Sequence, residues 1–309
     1  MRKATYSHAL LEEMAAEQRR VISDWRALLL VRRATQRIPA DARRWQTAPG
    51  KLEEIHAILN RVVQNGDLKP LKGLSRIYEA RSPFVQTGAI QEEEILMELH
   101  PYGALSHVTA LVFHGMTEEL PKEIHVLLPS EHTGGLLPPG TREGDWEGLW
   151  QGLSLVRGRT ADEIMGTPIR WHALSRGTAL IGTAEYQPKG YPVRVTTPER
   201  TLVDGLLHPE WCGGMGPVLA AWARTRDTLD VGHLVELVEQ FNVAILKQRV
   251  GFILEQLGIT HHQVEQWPAQ AKRGGSSKLF GGAPFKPDFS ERWKLSINVP
   301  IDVLQGSMG

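Results

Sequence analysis

Apolar residues return every three or four positions through much of the first 65 residues. Leu10, Leu11, Met14 and Ala15 predict a helix over 8–22, and Trp25, Leu28, Leu29 and Val31 a second over 24–36, with Ser23 or Asp24 placed to cap it. The pattern is cleanest in GKLEEIHAILNRVVQNGDL. There Leu52, Ile55, Leu59 and Val62 form one stripe, widened by Ile58 and Val63. Lys51, Glu53, Glu54, Asn60 and Arg61 take the other side, which predicts an amphipathic helix that stops at Asn65-Gly66. Beyond it, Leu71 and then LSRIYEA predict two short strands around Lys72-Gly73.

Residues 86–91 form the expected boundary between a domain over 1–85 and another over 86–309. The second begins with two helical segments, EEEILMELHPYG and ALSHVTALVFHGMT, the latter with Ser106 as cap and Gly115 as stop. EIHVLLP, IRWHAL, ALIGTAEYQ and YPVRVTT have the patterning of strands, and HTGGLLPPGTREGDWEGLWQG that of a Gly/Pro-rich loop. GPVLAAWART, VGHLVELVEQF and VAILKQRVGFILEQLG predict helices, AQAKRGGSSKLFGGAPFKP a loop, and RWKLSIN a last strand. The expected class is α+β, with a small mixed sheet packed by helices in the second domain.

Composition is that of a globular protein, 41% hydrophobic and 23% charged. The apolar runs are too short for a membrane helix, the N-terminus has no apolar signal segment, and Cys212 is the single cysteine, so a cytoplasmic protein is expected. The net charge of zero hides an asymmetry: residues 1–85 hold 16 Lys and Arg against 9 Asp and Glu, and residues 86–309 hold 19 against 26. A basic first domain of three helices and a hairpin has the element order of a winged helix-turn-helix, and double-stranded DNA is the expected partner. Arg43, Arg44, Lys51, Arg61, Lys69, Lys72 and Arg76 supply phosphate contacts, while Gln46, Thr47 and the start of the 50–65 helix supply any base readout. Glu53 and Glu54 suit the dipole of that helix but oppose phosphates at its N-terminus.

Motifs for chemistry are sparse. No phosphate-binding loop, dinucleotide fingerprint, H-E-x-x-H or G-x-S-x-G is present, so no enzyme centre, cofactor or metal is expected. His100, His107 and His114 are seven apart, but two helical turns separate the last two by roughly 10 Å, too far to share an ion. His261-His262 is expected to be a solvated pair. KPDFSERWKL has the wrong spacing for a metal-dependent nuclease: two residues part Glu291 from Lys294. VTTPERTLVDGLLHPEWCGG has a helix start in Thr197, Pro198 and Glu199, an apolar face in Leu202, Val203, Leu206 and Leu207, and a stop at Pro209. Arg200 and Asp204 lie one turn apart; if buried, the pair fixes how this helix docks, and the stretch is a structural joint.

Three segments in order, LSHVTALVFHGMTEELPKEIHVLLP, VRVTTPERTLVDGLLHPEWCGG and LVELVEQFNVAILKQRVGFILEQLG, resemble the AbiEi family of type IV antitoxins over roughly residues 50–300. The shared elements are L-S-H-x-x-A-L-x-x-H-G from Leu105 to Gly115, with Ser106, His107 and His114, and T-x-P-E-R-T-L-x-D from Thr196 to Asp204, with Thr197, Glu199, Arg200 and Asp204. Residues 1–49 are less like the family. The resemblance implies a winged-helix repressor of its own operon whose second domain counteracts a nucleotidyltransferase toxin without a stable complex, in phage defence. Its rivals are a stand-alone transcriptional regulator of a defence locus and a metal-dependent nuclease or transferase.

Overall fold

The computed structural model describes residues 3–81, 83, 88–129, 137–147, 149, 158–174, 181–271 and 277–306. The elements begin with α1 (Tyr6–Ala16), β1 (Val21–Ser23), α2 (Asp24–Arg37), α3 (Leu52–Gln64), β2 (Leu68–Pro70), β3 (Ile77–Ala80) and α4 (Glu92–Leu99). There follow β4 (Ala104–Leu105), α5 (His107–Phe113), β5 (Ile124–Pro129), β6 (Glu163–Ile164), β7 (Thr167–Leu174), β8 (Thr183–Tyr186) and β9 (Val193–Thr196). The chain closes with α6 (Pro198–Leu207), α7 (Met215–Arg224), α8 (Val231–Phe241), α9 (Ala244–Gln256), β10 (Phe289–Ser290), β11 (Leu295–Ser296) and α10 (Asp302–Gln305). Helices mixed with several small sheets are what the α+β class requires. The chain forms two compact units: Met1–Gly103 with Thr133–Gly166 and Glu185–Arg194, and Ala104–His132 with Thr167–Ala184 and Val195–Gly309.

In the first unit, α1 stops at Ala16, short of the expected end at 22. Gln18 turns the chain through a positive φ of 53°, and Val21–Ser23 pairs antiparallel with β3, Ile22 opposite Tyr78. The Ser23 hydroxyl then caps α2, accepting from the Arg26 N–H at 3.2 Å. Helix α3 buries Ile55, Leu59 and Val62, as its stripe predicts. The hairpin begins earlier than expected, at Leu68, because that side chain is buried and Leu71 is already in the turn, its N–H bonded to the Ile77 carbonyl at 2.9 Å. Together β1, β3 and β2 form an antiparallel sheet in that order. The core gathers Leu10, Met14, Trp25, Leu28, Ile55, Leu59, Leu68 and Tyr78.

The unit does not end at residue 85, because α4 belongs to it. Glu98 is 3% exposed and Arg26 fully buried. Glu98 Oε1 accepts from Arg26 Nε at 2.9 Å, and Oε2 accepts from the Ser23 backbone N–H at 3.1 Å and hydroxyl at 2.5 Å. Its backbone carbonyl accepts from Trp25 Nε1 at 3.0 Å. One turn earlier, Glu94 pairs with Arg20. Acids that the sequence assigns to an acidic second domain are therefore the counter-charges of the first.

In the second unit, strands run β7-β5-β4-β9. β5 pairs parallel with β7, and β4 pairs antiparallel with β5 and parallel with β9. The expected ALSHVTALVFHGMT helix gives up its first residues to β4, where Leu105 lies opposite Val126. Helices α6 to α9 enclose Leu202, Leu206, Trp222, Val235, Val250 and Trp293. A Cβ on Gly251, inside α9, would lie 2.2 Å from the Trp293 ring, so glycine is what lets the indole pack on that helix. The expected last strand shrinks to Leu295–Ser296, because Trp293 is buried in that core and Lys294 turns through a φ of 51°.

Replacing Glu98 by Gln leaves Arg26 buried without a countercharge; a loss of about 3–5 kcal/mol is expected in urea unfolding. A loss under about 0.5 kcal/mol, the scale of a plain surface change, would contradict this role. His100 gives a pH test. Burial pushes its pKa down to about 4, against roughly 6.5 in an unfolded chain. Between those values the unfolded chain holds the extra proton, so this stability is complete above about pH 6.5 and is lost as pH falls toward about 4. The expected slope is on the order of 1 kcal/mol per pH unit. Urea midpoints at several pH values should fall less steeply in His100→Gln; equal slopes would refute the assignment.

Candidate functional site

The expected DNA-contacting residues all lie in the first unit. Arg44, Gln46, Thr47, Lys51, Arg61, Lys69, Lys72 and Arg76 are exposed. Arg43 is half-buried: Nη1 donates to the Gln46 carbonyl at 3.1 Å, and the guanidinium lies 5.7 Å from the Trp45 ring centroid. Trp45 in turn stacks on Tyr6 at 4.5 Å, and the Tyr6 hydroxyl donates to the Thr47 carbonyl at 2.8 Å, so the connector is pinned to α1. Glu54 turns back on its own helix start, accepting from the Gly50 N–H at 2.9 Å, while Glu53 stays exposed. Several arginines of this unit are paired internally. Arg19 and Arg33 pair with Glu17, Arg33 also with Asp145, and Arg37 with Glu13. Among the described residues, Arg44, Lys51, Arg61, Lys69, Lys72 and Arg76 carry no such ion pair.

In the second unit the Thr196–Asp204 segment is a joint of hydrogen bonds. Thr197 caps α6, accepting from the Arg200 N–H at 3.3 Å, with Pro198 in the first turn. Glu199 does not close a capping box; it accepts from the Asp230 N–H at 3.3 Å, at the start of α8. Arg200 has no exposed surface. Its Nε donates to Asp204 Oδ1 at 2.8 Å, Nη1 donates to the Ile181 carbonyl, and its guanidinium lies 4.7 Å from the Phe241 ring. Burial pushes the Asp204 carboxyl up from its ordinary pKa, against the pull of Arg200. His114 Nε2 donates to the Thr196 carbonyl at 2.7 Å, tying the end of α5 to the end of β9. Burial pushes the pKa of His114 down.

The histidines do not group as their sevenfold spacing suggests. His100 is the cap of α4, in the other unit, and His107 opens α5 with a left-handed backbone, φ 51°. Such a conformation costs a non-glycine residue about 1–3 kcal/mol and persists only where its surroundings impose it. The turn leaves His107 beside two histidines that sequence spacing did not flag, His125 on β5 and His172 on β7. In the β5–β7 register Arg170 lies opposite His125 and His172 opposite Leu127, so residues 125 and 172 are diagonal neighbours on one face. His125 Nδ1 is 3.0 Å from His172 Nε2, and the His107 ring centroid is 4.7 Å from that of His172. All three are buried, and a ligating nitrogen from each lies within 4.8 Å of the others. His208 and Trp211 complete the wall, stacked at 4.0 Å, with Trp211 4.1 Å from the His172 ring. Burial first, then the neighbouring imidazoles, pushes His107 down to about 2 and His172 to about 4; burial also lowers His125.

Truncating Arg200 to Ala strands a buried carboxylate at Asp204, and an unfolding loss of about 3–5 kcal/mol is expected in urea. The double change Arg200→Met with Asp204→Leu should recover part of it, since the pair is removed together. A single-variant loss below about 1 kcal/mol would show that the pair does not hold the joint.

No family model matches the chain, and no curated protein matches it. Among solved structures it is similar to the RV2827C protein from Mycobacterium tuberculosis, with 12% identity and a TM-score of 0.52 over 97% of this chain and 93% of that one. At that identity the likeness is one of fold alone.

Proposed function

We propose that the protein is a DNA-binding autorepressor that also acts as the antitoxin of a nucleotidyltransferase toxin. The observation that carries the first half is the order α1-β1-α2-α3-β2-β3 with its antiparallel sheet β1-β3-β2. This order supports a winged-helix reading, with an amphipathic third helix that has one polar face and then a hairpin with a basic tip. Lys72 and Arg76 stand in that tip, Arg44 and Lys51 before α3, and Arg61 on its polar face, all exposed. Glu54 accepts from the Gly50 N–H, which turns its carboxylate back on the start of α3. The second half rests on the resemblance of the segments around Leu105–Gly115 and Thr196–Asp204 to AbiEi antitoxins. In this reading those residues build the second unit and the toxin is countered without a stable complex.

The test is fluorescence polarisation with full-length protein and a duplex from upstream of its own coding sequence. The triple change Arg44→Ala, Lys72→Ala, Arg76→Ala is expected to weaken binding and to flatten log K against log salt by about 0.9 for each phosphate that the variant no longer neutralises. An unchanged slope would sink the assignment of these residues to DNA.

A further inference from the structure

We propose that His107, His125 and His172 bind a transition-metal dication of the zinc class, through three imidazole nitrogens and with at least one coordination position left for a non-protein ligand. The three side chains come from three elements, α5, β5 and β7, and meet at ligand-atom distances of no more than 4.8 Å. Two imidazole nitrogens bound to one tetrahedral zinc at about 2.0–2.1 Å stand roughly 3.3 Å apart. His125 Nδ1 and His172 Nε2, at 3.0 Å, need open by only a few tenths of an ångström.

The second observation is independent of that distance. A ligating histidine characteristically gives its other ring nitrogen to a carboxylate, carbonyl or water, which fixes the tautomer and orients the ring. His125 presents its Nε2 to Glu123 Oε1 at 3.2 Å, leaving Nδ1 for the cluster, and the same carboxylate oxygen is held by Arg170 Nε at 2.8 Å. His107 places its Nδ1 2.9 Å from the Ser106 hydroxyl, leaving Nε2. Two of the three ligands thus have an outer partner already in place.

The charges around the cluster allow a dication. Arg200 and Arg170 are the nearby cations; Asp204 pairs with the first and Glu123 with the second. Asp204 Oδ2 is buried and has no hydrogen-bond partner among the described residues. All-nitrogen donors select zinc, cobalt, nickel or copper and disfavour magnesium and calcium, which take oxygen ligands. Three protein ligands are one fewer than a closed structural zinc site uses, so the fourth position falls to water or another small ligand.

The test uses the full chain after treatment with a chelator and its removal. Zn²⁺ is titrated in competition with a chromophoric chelator, and Co²⁺ is followed by its visible absorption. One equivalent per chain is expected, with cobalt bands of a nitrogen-rich, low-coordination site and a rise in melting temperature on adding Zn²⁺. His125→Gln with His172→Gln should abolish the site, and the exposed control His262→Gln should keep it. Glu123→Gln, which leaves all three ligands, should weaken Zn²⁺ binding by about 10–100-fold. The last variant keeps the test valid should the double variant not fold. Wild-type protein that binds Zn²⁺ and Co²⁺ no better than the double variant, or no differently from Glu123→Gln, would overturn the proposal.

Discussion

Arg26 has no exposed surface, and the carboxylate of Glu98 is what allows it to stay inside. Taking a guanidinium out of water costs several kcal/mol and is recovered only by close, complete pairing. Glu98 gives one oxygen to Arg26 and the other to Ser23, at the junction of β1 and α2. Arg26 spends a further N–H on the Pro139 carbonyl at 2.7 Å. The first helices, the start of α2 and helix α4 are thereby held by one buried charge and its partner. The exposed cations of the connector and the hairpin tip stand on a frame whose own arginines are already paired.

The second unit repeats the device with different residues. Arg200 is buried and pairs one turn on with Asp204, while its Nη1 meets a carbonyl and its face a phenyl ring. Arg249, also buried, caps two backbone carbonyls, Leu206 at 2.7 Å and Lys278 at 3.0 Å. Burial lowers its pKa from the ordinary guanidinium value, so those carbonyls compensate desolvation without a countercharge. Fixed in this way, α6 and its neighbours leave the histidine face of the sheet lined by His208 and Trp211.

Periodicity alone made the helices legible: α2, α3, α8 and α9 begin and end close to where their apolar stripes do. The joint at Thr196–Asp204 was legible too, because capping and a one-turn ion pair are local. Strand β1 was not, since its three residues continue a helical stripe and only pairing with β3 makes them extended. Charge counted along the chain does not show where acids act: Glu94 and Glu98, beyond the expected 86–91 boundary, fold back onto Arg20 and Arg26 more than 70 residues earlier. The histidine cluster was invisible for a similar reason. His107, His125 and His172 are far apart in sequence, and only the β5–β7 register and the left-handed turn at His107 bring them together. A weak signal existed, in that EIHVLLP and IRWHAL each carry one histidine in a strand otherwise mostly apolar.

The central claim is that the first unit recognises DNA near its own gene. The most direct measurement is a footprint and polarisation titration of the unmodified full-length protein on its own upstream duplex, beside a scrambled duplex of equal composition. The account predicts a protected site and tighter binding to the native sequence, with both affinities falling as salt rises. Equal affinity for the two duplexes, with no protected site, would contradict it and leave the three helices and the hairpin without a part in operator recognition.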